Sequence, residues 1–528
     1  MTIREVGVIG LGTMGAGIAE VFARGGLTVT GIEADQAALD RGMAIVTGSL
    51  DRAVSRGRLT AAERDEVAGR IRPGRSLASL AGADLVVEVV PENLAIKSEV
   101  LAELDQVLRP DAIIATNTSS LSVTTIAARS AHPGRVVGMH FFNPAPVMRL
   151  VEVVTTVLTE PAVGQAVTGL ARDLGKTPVQ VTDRAGFVAN ALLLPYLNHA
   201  VRLLETGCAT REDIDTAVTG GIGLPMGPLA LLDLIGLDTS LAILEVLDRE
   251  FGGTRYTPAP LLRRLTDAGR TGRKGGAGFY EYPAGRVPVP AGSPPLDNAD
   301  QPPAPGTVTL ADSPADGQPG VRDEAGGRDG EGDRDEAGGR RAEILAGQLA
   351  AAGVRVTRDP AEPSDLVVVA IGPAGGVLAP ALTAGRAADA IGLHLAAPGL
   401  AELVPSRLTS ARALAAGRAL AGRCGWQVVV SADRPGLIVG ALLHAHLRDA
   451  VVMVADGYAS PADVDTAMTL GCGYPRGPMQ LLAEVGPGRS AAVLAGMHAA
   501  YGDPAFAPPP LLREYALAGL PANGSAAG

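Results

Sequence analysis

Apolar positions over roughly the first 180 residues gather into short runs separated by helix-length segments. The runs Val6–Ile9, Val29–Ile32, Leu85–Val90, Ile113–Thr116, Val136–Phe141 and Val151–Val154 read as buried strands. Strands alternating with helices predict a parallel sheet covered on both faces. Between Gln36 and Arg72, Ser49–Arg56 and Thr60–Arg70 flank Gly57-Arg58-Leu59, the pattern of a helical hairpin projecting from the sheet. Thr60-Ala-Ala-Glu63 fits a capping box at the start of its second arm. From Asp183 to about Tyr282 the strand pattern stops and helical periodicity takes over. Phe187, Leu192, Leu194, Tyr196 and Leu197 open a largely apolar helix, which predicts burial against a partner.

Residues 284–340 change character. Prolines dominate to Pro319, and Arg322-Asp-Glu-Ala-Gly-Gly-Arg328 then repeats as Arg334-Asp-Glu-Ala-Gly-Gly-Arg340. So little apolar surface cannot offset chain entropy, which predicts a disordered linker. Beyond it the earlier pattern returns. Asp433-Arg-Pro-Gly436 echoes Asp183-Arg-Ala-Gly186, and Asp463-Val-Asp465 echoes Asp213-Ile-Asp215. Tyr474-Pro-Arg-Gly-Pro478 likewise echoes Leu224-Pro-Met-Gly-Pro228, and all three pairs share an offset of 250 residues. The helical domain is therefore duplicated. Ala342–Ala352, Val354-Arg-Val356 and Asp365–Ile371 resemble parts of the opening domain, but its first strand and glycine loop have no visible counterpart. The expected order is an α/β Rossmann-type domain (1–182), an all-α domain (183–283), the linker (284–340), a reduced Rossmann-like unit (341–405) and a second all-α domain (406–520).

A chain of 528 residues is long enough for several such cores. Its net charge of −11 carries no basic stripe, which argues against nucleic acid as a partner. No apolar run is long enough for a membrane span. The three cysteines, Cys208, Cys424 and Cys472, have no metal-type spacing, so no metal is expected and a reducing cytosol is. The chain enters its first strand at once, and no signal peptide is expected.

Chemistry begins at that first strand. Gly10-Leu11-Gly12-Thr13-Met14-Gly15 follows Val6–Ile9 directly and opens a helix-like run. A glycine turn between strand and helix lets backbone approach a pyrophosphate and aims the helix N-terminus at its charge. Glu33 ends the next strand about twenty residues on, where an acid would bond an adenosine ribose hydroxyl. Ala34 and Asp35 follow it with no arginine, which favours NAD over NADP.

Three polar clusters interrupt the later strands: Asn117-Thr118-Ser119-Ser120, His140-Phe-Phe-Asn143-Pro, and Glu152. The first two fall at strand carboxyl ends, where open α/β sheets bind ligands. A histidine with a carboxylate twelve residues on, across one chain reversal, is a candidate acid/base pair. The plainer readings are a histidine closing a strand, a helix cap within the Asn-Thr-Ser-Ser run, and a glutamate paired with a surface cation.

Taken together, Gly10–Gly15, Glu92-Asn-Leu-Ala-Ile-Lys97, Asn117–Leu121, His140–Glu152, Asp183–Asn190 and Gly272–Tyr280 resemble the 3-hydroxyacyl-CoA dehydrogenase family. The later half resembles its longer bacterial members, the 3-hydroxybutyryl-CoA and 3-hydroxyadipyl-CoA dehydrogenases. The resemblance implies NAD-dependent oxidation of (S)-3-hydroxyacyl-CoA to 3-oxoacyl-CoA. It implies His140 as base, Glu152 as its orienting carboxylate, and Ser119 and Asn190 at the substrate's C3 oxygen. It also implies Glu92, Lys97, Asn117, Asn143 and Lys274 near the nicotinamide half of NAD, beside Gly10, Gly12, Thr13, Met14, Gly15 and Glu33. The hairpin corresponds to a CoA-contacting segment, with Arg52, Arg56 and Arg58 as candidates, although solvated arginines are commoner.

In the second copy Gly440 replaces Asn190, and Leu403-Val-Pro405 reads as loss of the orienting carboxylate, so one active site per chain is expected. The assembly implied is a homodimer or an intrachain pseudo-dimer. Two other readings stand beside this one: an NAD-dependent β-hydroxy acid dehydrogenase acting on a free acid, and a non-catalytic acyl-CoA-binding scaffold. Acyl length, and whether the substrate ends in a carboxylate as 3-hydroxyadipyl-CoA of phenylacetate breakdown does, stay open.

Overall fold

The computed structural model describes residues 3–283, 303–312, 331–373 and 375–519. Packing divides the chain into two compact units, Met1–Ala191 with Asp456–Gly477, and Leu192–Ala455 with Pro478–Gly528.

The first unit is built on one sheet of β1 (Glu5–Ile9), β2 (Thr28–Ile32), β3 (Ile71–Gly74), β4 (Leu85–Glu88), β5 (Ile113–Thr116), β6 (Val136–Phe141), β7 (Leu150–Thr155) and β8 (Thr177–Thr182). Its order is β3-β2-β1-β4-β5-β6-β7-β8. Side chains alternate across the pleat, so the apolar strands feed two cores. Val6, Val8 and Val87 meet Ile18 and Phe22 of helix Thr13–Arg24 on one face. Ile9, Val86 and Ile114 meet Leu101 and Leu104 of helix Leu94–Val107 on the other. A strand buried on both sides reads as an unbroken apolar run, which is why the central strands were visible in the sequence. The edge strands β3 and β8 were not. Ile71-Arg-Pro-Gly74 is short and polar, and β8 buries only Val179 and Val181 among polar neighbours.

One expectation about the sheet needs correction, since it is not wholly parallel. β6 and β7 pair antiparallel, with His140 opposite Glu152. Only residues 142–149 join them, and a parallel crossover needs about a dozen residues or more. The hairpin also differs in detail. Its arms are helices Gln36–Ser55 and Ala61–Gly69, and the capping box is present, with the Thr60 amide donating to Glu63 at 2.7 Å. It does not simply project, because Val46, Leu50 and Val67 belong to the same core as Phe22.

The second unit holds a smaller sheet of β9 (Thr307–Asp312), β10 (Arg355–Thr357), β11 (Leu366–Ala370), β12 (Ala390–Ala397), β13 (Leu400–Val404) and β14 (Gln427–Val430), in the order β10-β9-β11-β12-β13-β14. Three corrections follow. β9 lies inside the stretch expected to be linker and takes the place of the missing first strand, parallel to β10 and β11. Val308 and Leu310 are buried there, alternating with Thr307 and Thr309, a strand signal masked by the surrounding prolines. Helix Glu331–Ala351 also begins within that stretch, and the rest of it lies largely outside the described residues. Finally, the sheet runs on to β14, so the reduced unit extends beyond residue 405.

Helices fill the remainder, among them Ala189–Glu205 and its counterpart Val439–Ala455. Among the described residues no helix is long and apolar enough to cross a membrane.

Candidate active site

The glycine turn fits a dinucleotide on its geometry. Gly10 has φ +89°, and a Cβ there would lie 2.7 Å from the Val89 carbonyl oxygen. A Cβ on Gly15 would overlap the Gly10 carbonyl at 1.7 Å, so the turn closes only with glycine at both positions. Gly12 stands at the N-cap of helix Thr13–Arg24 with no side-chain cap and nothing within 4 Å of its Cβ direction. Uncapped helix-start amides beside open space are what a pyrophosphate requires. Gly12 and Thr13 are exposed and Met14 half-buried at this mouth. Glu33, at the end of β2, accepts the Leu11 amide at 2.5 Å, which holds the acid beside the turn.

A second group forms where β4 and β5 end. Glu92 gathers the Ser119 and Ser120 amides at 3.0 Å each, and the Thr118 and Ser120 hydroxyls at 2.6 and 2.9 Å. Burial alone would raise its carboxyl, but Lys97 and these donors outweigh that and hold it below the usual range. The Lys97 ammonium is buried between Glu92, at 3.4 Å, and Glu88, at 2.8 Å. Glu88 also accepts the Thr116 hydroxyl at 2.8 Å. A buried ammonium so paired is expensive to break and holds its helix in place. Glu88, which anchors Lys97, gives no sequence signal beyond an acid inside the apolar run Leu85-Val-Val-Glu88. Asn117 accepts the Phe141 amide at 2.8 Å and so ties β5 to the end of β6. The Asn-Thr-Ser-Ser run is thus held by Glu92 and does not cap a helix; Ser122 caps Val123–Ala127 instead.

The third group is the acid/base pair. His140 Nδ1 lies 2.7 Å from Glu152 Oε2, with His140 5% exposed and Glu152 fully buried. Glu152 Oε1 accepts the Val188 and Ala189 amides, both at 3.0 Å. These amides start helix Ala189–Glu205, so the carboxylate caps that helix from another strand, where its dipole favours negative charge. The capping is possible because Phe187 adopts φ +48°, a conformation costing about 1–3 kcal/mol in a non-glycine residue. Phe142 and Phe187 pack on the imidazole, with ring centroids 4.6 and 5.5 Å away. Lys176 clasps the β6–β7 reversal by donating to Ala145 O and Met148 O at 2.7 and 2.8 Å.

The other predicted residues stand as follows. Ser119, half-buried, is two residues from the Asn117 that binds the end of β6. Asn190, also half-buried, follows the Ala189 bonded to Glu152. Asn143 is exposed and precedes Pro144 in a cis peptide on the reversal. Lys274 belongs to the second unit, where its ammonium donates to Asp238 at 2.8 Å. Arg52, Arg56 and Arg58 are all exposed.

Residues 5–184 match the family model for the NAD binding domain of 3-hydroxyacyl-CoA dehydrogenase. Residues 186–282 and 436–528 both match the model for its C-terminal domain. The chain belongs to the 3-hydroxyacyl-CoA dehydrogenase family. It is 48% identical over 282 residues to a 3-hydroxybutyryl-CoA dehydrogenase of Mycobacterium tuberculosis, covering 53% of this chain and 99% of that one. It is 33% identical to the 3-hydroxyadipyl-CoA dehydrogenase of Escherichia coli over 98% of both chains. A crystal structure of an Escherichia coli K12 3-hydroxybutyryl-CoA dehydrogenase matches with a TM-score of 0.78 and 31% identity, covering 98% of this chain and 99% of that one. The dehydrogenase therefore uses NAD and oxidises 3-hydroxyacyl-CoA, and its C-terminal domain is present twice.

The second copy in this dehydrogenase corrects one sequence expectation. β12 and β13 pair with His394 opposite Glu402, as His140 faces Glu152. The carboxylate is not lost, because Leu400-Ala401-Glu402 is the true counterpart of Leu150-Val151-Glu152. Glu402 Oε1 accepts the Ile438 and Val439 amides at 3.1 and 2.9 Å, after Leu437 at φ +51°. The pair itself is broken, however. His394 Nδ1 turns to Ile371 O at 3.1 Å, and Glu402 Oε2 has no hydrogen-bond partner among the described residues. β11 also pairs directly with β12, so the strand that would carry counterparts of Asn117 and Ser119 is absent.

Burial pushes the Glu402 carboxyl up to about 7, against two amides that lower it. The unfolded chain ionises this group at an ordinary value near ~4. Stability from the neutral form is therefore complete at low pH and is lost as pH rises through about 7. Glu402→Gln should leave the melting temperature near the parent's in acid and raise it above the parent's beyond neutrality. Calorimetry across that range checks this, and a difference that does not change with pH would contradict it.

Proposed function

We propose that the first half carries the single active site of the chain, with His140 as general base for the alcohol of a (S)-3-hydroxyacyl-CoA. The observation that carries this reading is the 2.7 Å contact between His140 Nδ1 and a Glu152 whose other oxygen is occupied by two helix-start amides. Nδ1 donates to the carboxylate, which leaves Nε2 unprotonated and free to take the C3 hydroxyl proton. The imidazolium so formed is stabilised by Glu152, 2.7 Å from Nδ1. The Ser119 hydroxyl and Asn190 amide donate to the C3 oxygen, where negative charge develops. When bound, NAD supplies the acceptor for the C3 hydride. Gly10, Gly12, Thr13, Met14, Gly15 and Glu33 would hold its adenosine and pyrophosphate. Glu92, Lys97, Asn117 and Asn143 would line its nicotinamide half.

The names of the relatives support a short-chain or dicarboxylic acyl group, 3-hydroxybutyryl or 3-hydroxyadipyl. His140→Ala should lower kcat about a hundredfold or more while NADH binding is retained. NADH formation from butyryl, adipyl and longer 3-hydroxyacyl-CoAs, with the free acids as controls, checks both substrate and base. Near-parental turnover by the variant would refute the base assignment, and preference for free acids would favour the other dehydrogenase reading.

We further propose that the duplicated half substitutes for the second subunit of a homodimer. Relatives matching only 53% of this chain are covered over almost their full length, which supports a one-half unit as the ancestral form. Truncation after Tyr282 removes Asp456–Gly477 from the first unit and uncovers the faces of β7 and β8. The truncated chain should then self-associate in sedimentation experiments. A stable, soluble monomer would count against the pseudo-dimer.

A further inference from the structure

Helix Pro461–Cys472 comes from the degenerate half of the sequence, yet it packs on β7 within the unit that holds His140. At Gly471 the approach is so close that a Cβ would lie 2.5 Å from Leu150 Cδ2 and 3.3 Å from Phe142 Cε1. Phe142 in turn packs on the His140 imidazole at 4.6 Å. The next residue, Cys472, has its thiol pushed up by burial and by the charge of Glu152, so it sits within that carboxylate's field. The segment is anchored further along. The Tyr458 hydroxyl donates to Thr182 O at 2.9 Å, and Arg184 lies over the Tyr458 ring while pairing with Asp456 at 3.3 Å.

We propose that helix Pro461–Cys472 is a positioning element of the first half's active site. It acts through a relay in which Gly471 sets the Phe142 ring and Phe142 sets the imidazole of His140. The second half is therefore part of the catalytic apparatus of the first, although it holds none of the reacting groups. This rests on the reading of His140 as base. A side chain at 471 would displace the tip of Leu150 and press the Phe142 ring outward by a few tenths of an ångström at its first carbon, and by more with each further branch.

The second unit supplies an internal control. Gly221, the counterpart of Gly471, sits against Val439 Cγ2 at 2.7 Å and Leu400 Cδ2 at 3.1 Å, and Leu400 is the counterpart of Leu150. The packing is of the same kind, but Ala396 stands two residues after His394 where Phe142 follows His140. The relay through an aromatic ring exists only on the side that holds the complete acid/base pair.

The test compares Gly471→Val, Gly221→Val and His140→Ala in the full chain, reading kcat, KM, NADH affinity and melting temperature. Gly471→Val should lower kcat about tenfold or more with NADH affinity within about twofold, as a displaced base does. Gly221→Val should lose comparable thermal stability while kcat stays within about twofold. Where the valine variant does not fold, Gly471→Ala is read by the same criteria. Equal kcat losses in both glycine variants, or a parental kcat with Gly471 replaced, would overturn the relay. A fully active His140→Ala would instead remove the base assignment beneath it.

Discussion

The two oxygens of one buried carboxylate organise this protein. Glu152 Oε1 accepts both amides at the start of helix Ala189–Glu205, and Oε2 accepts His140. Removing either partner would leave an oxygen of a fully buried carboxyl group without a donor, which is costly. The helix start is thereby bound to the sheet, and Asn190 is delivered one residue beyond the second amide. The strained backbone at Phe187 is the local cost of this arrangement, and the same residue packs on the imidazole it helps to place. The helix start and the imidazole are thus held by a single side chain, with the β6–β7 reversal setting its register.

Duplication separates the two roles. The second half keeps the structural part of the device: Glu402, its two amides and the left-handed Leu437. It has dropped the chemical part, with His394 turned to a carbonyl, Gly440 in the place of Asn190, and one strand fewer between β11 and β12. Glu402 caps its helix start through Oε1 while Oε2 has no hydrogen-bond partner among the described residues. Burial raises the Glu402 carboxyl, with only two amides opposing it.

Much of this was legible in the sequence because the informative residues are contiguous. Gly10–Gly15 with Glu33, the capping box at Thr60, the His140–Glu152 block and the repeats at an offset of 250 residues each lie within short spans. What escaped depended on three-dimensional register or on composition. Glu402 was hidden because Leu403-Val mimics Leu150-Val, whereas the pleat aligns Leu400 with Leu150. β9 was hidden by prolines on both sides of a four-residue alternation, and β3 by its own arginine and proline. The Lys97–Glu88 pair needed the helix to fold back over β4, which no local pattern announces. Nor does any pattern tell which sheet a duplicated helix will cover, and Pro461–Cys472 packs in the first unit.

The central claim is that Glu152 holds the imidazole of His140 with Nδ1 protonated and Nε2 bare. Nitrogen-15 NMR of the full chain, with the His140 signal assigned by its loss in His140→Ala, reads that tautomer directly. The expected result is a ring whose neutral form carries its proton on Nδ1 and shows the unprotonated shift at Nε2, with that preference lost in Glu152→Gln. A parent ring whose neutral form is protonated at Nε2 would contradict it.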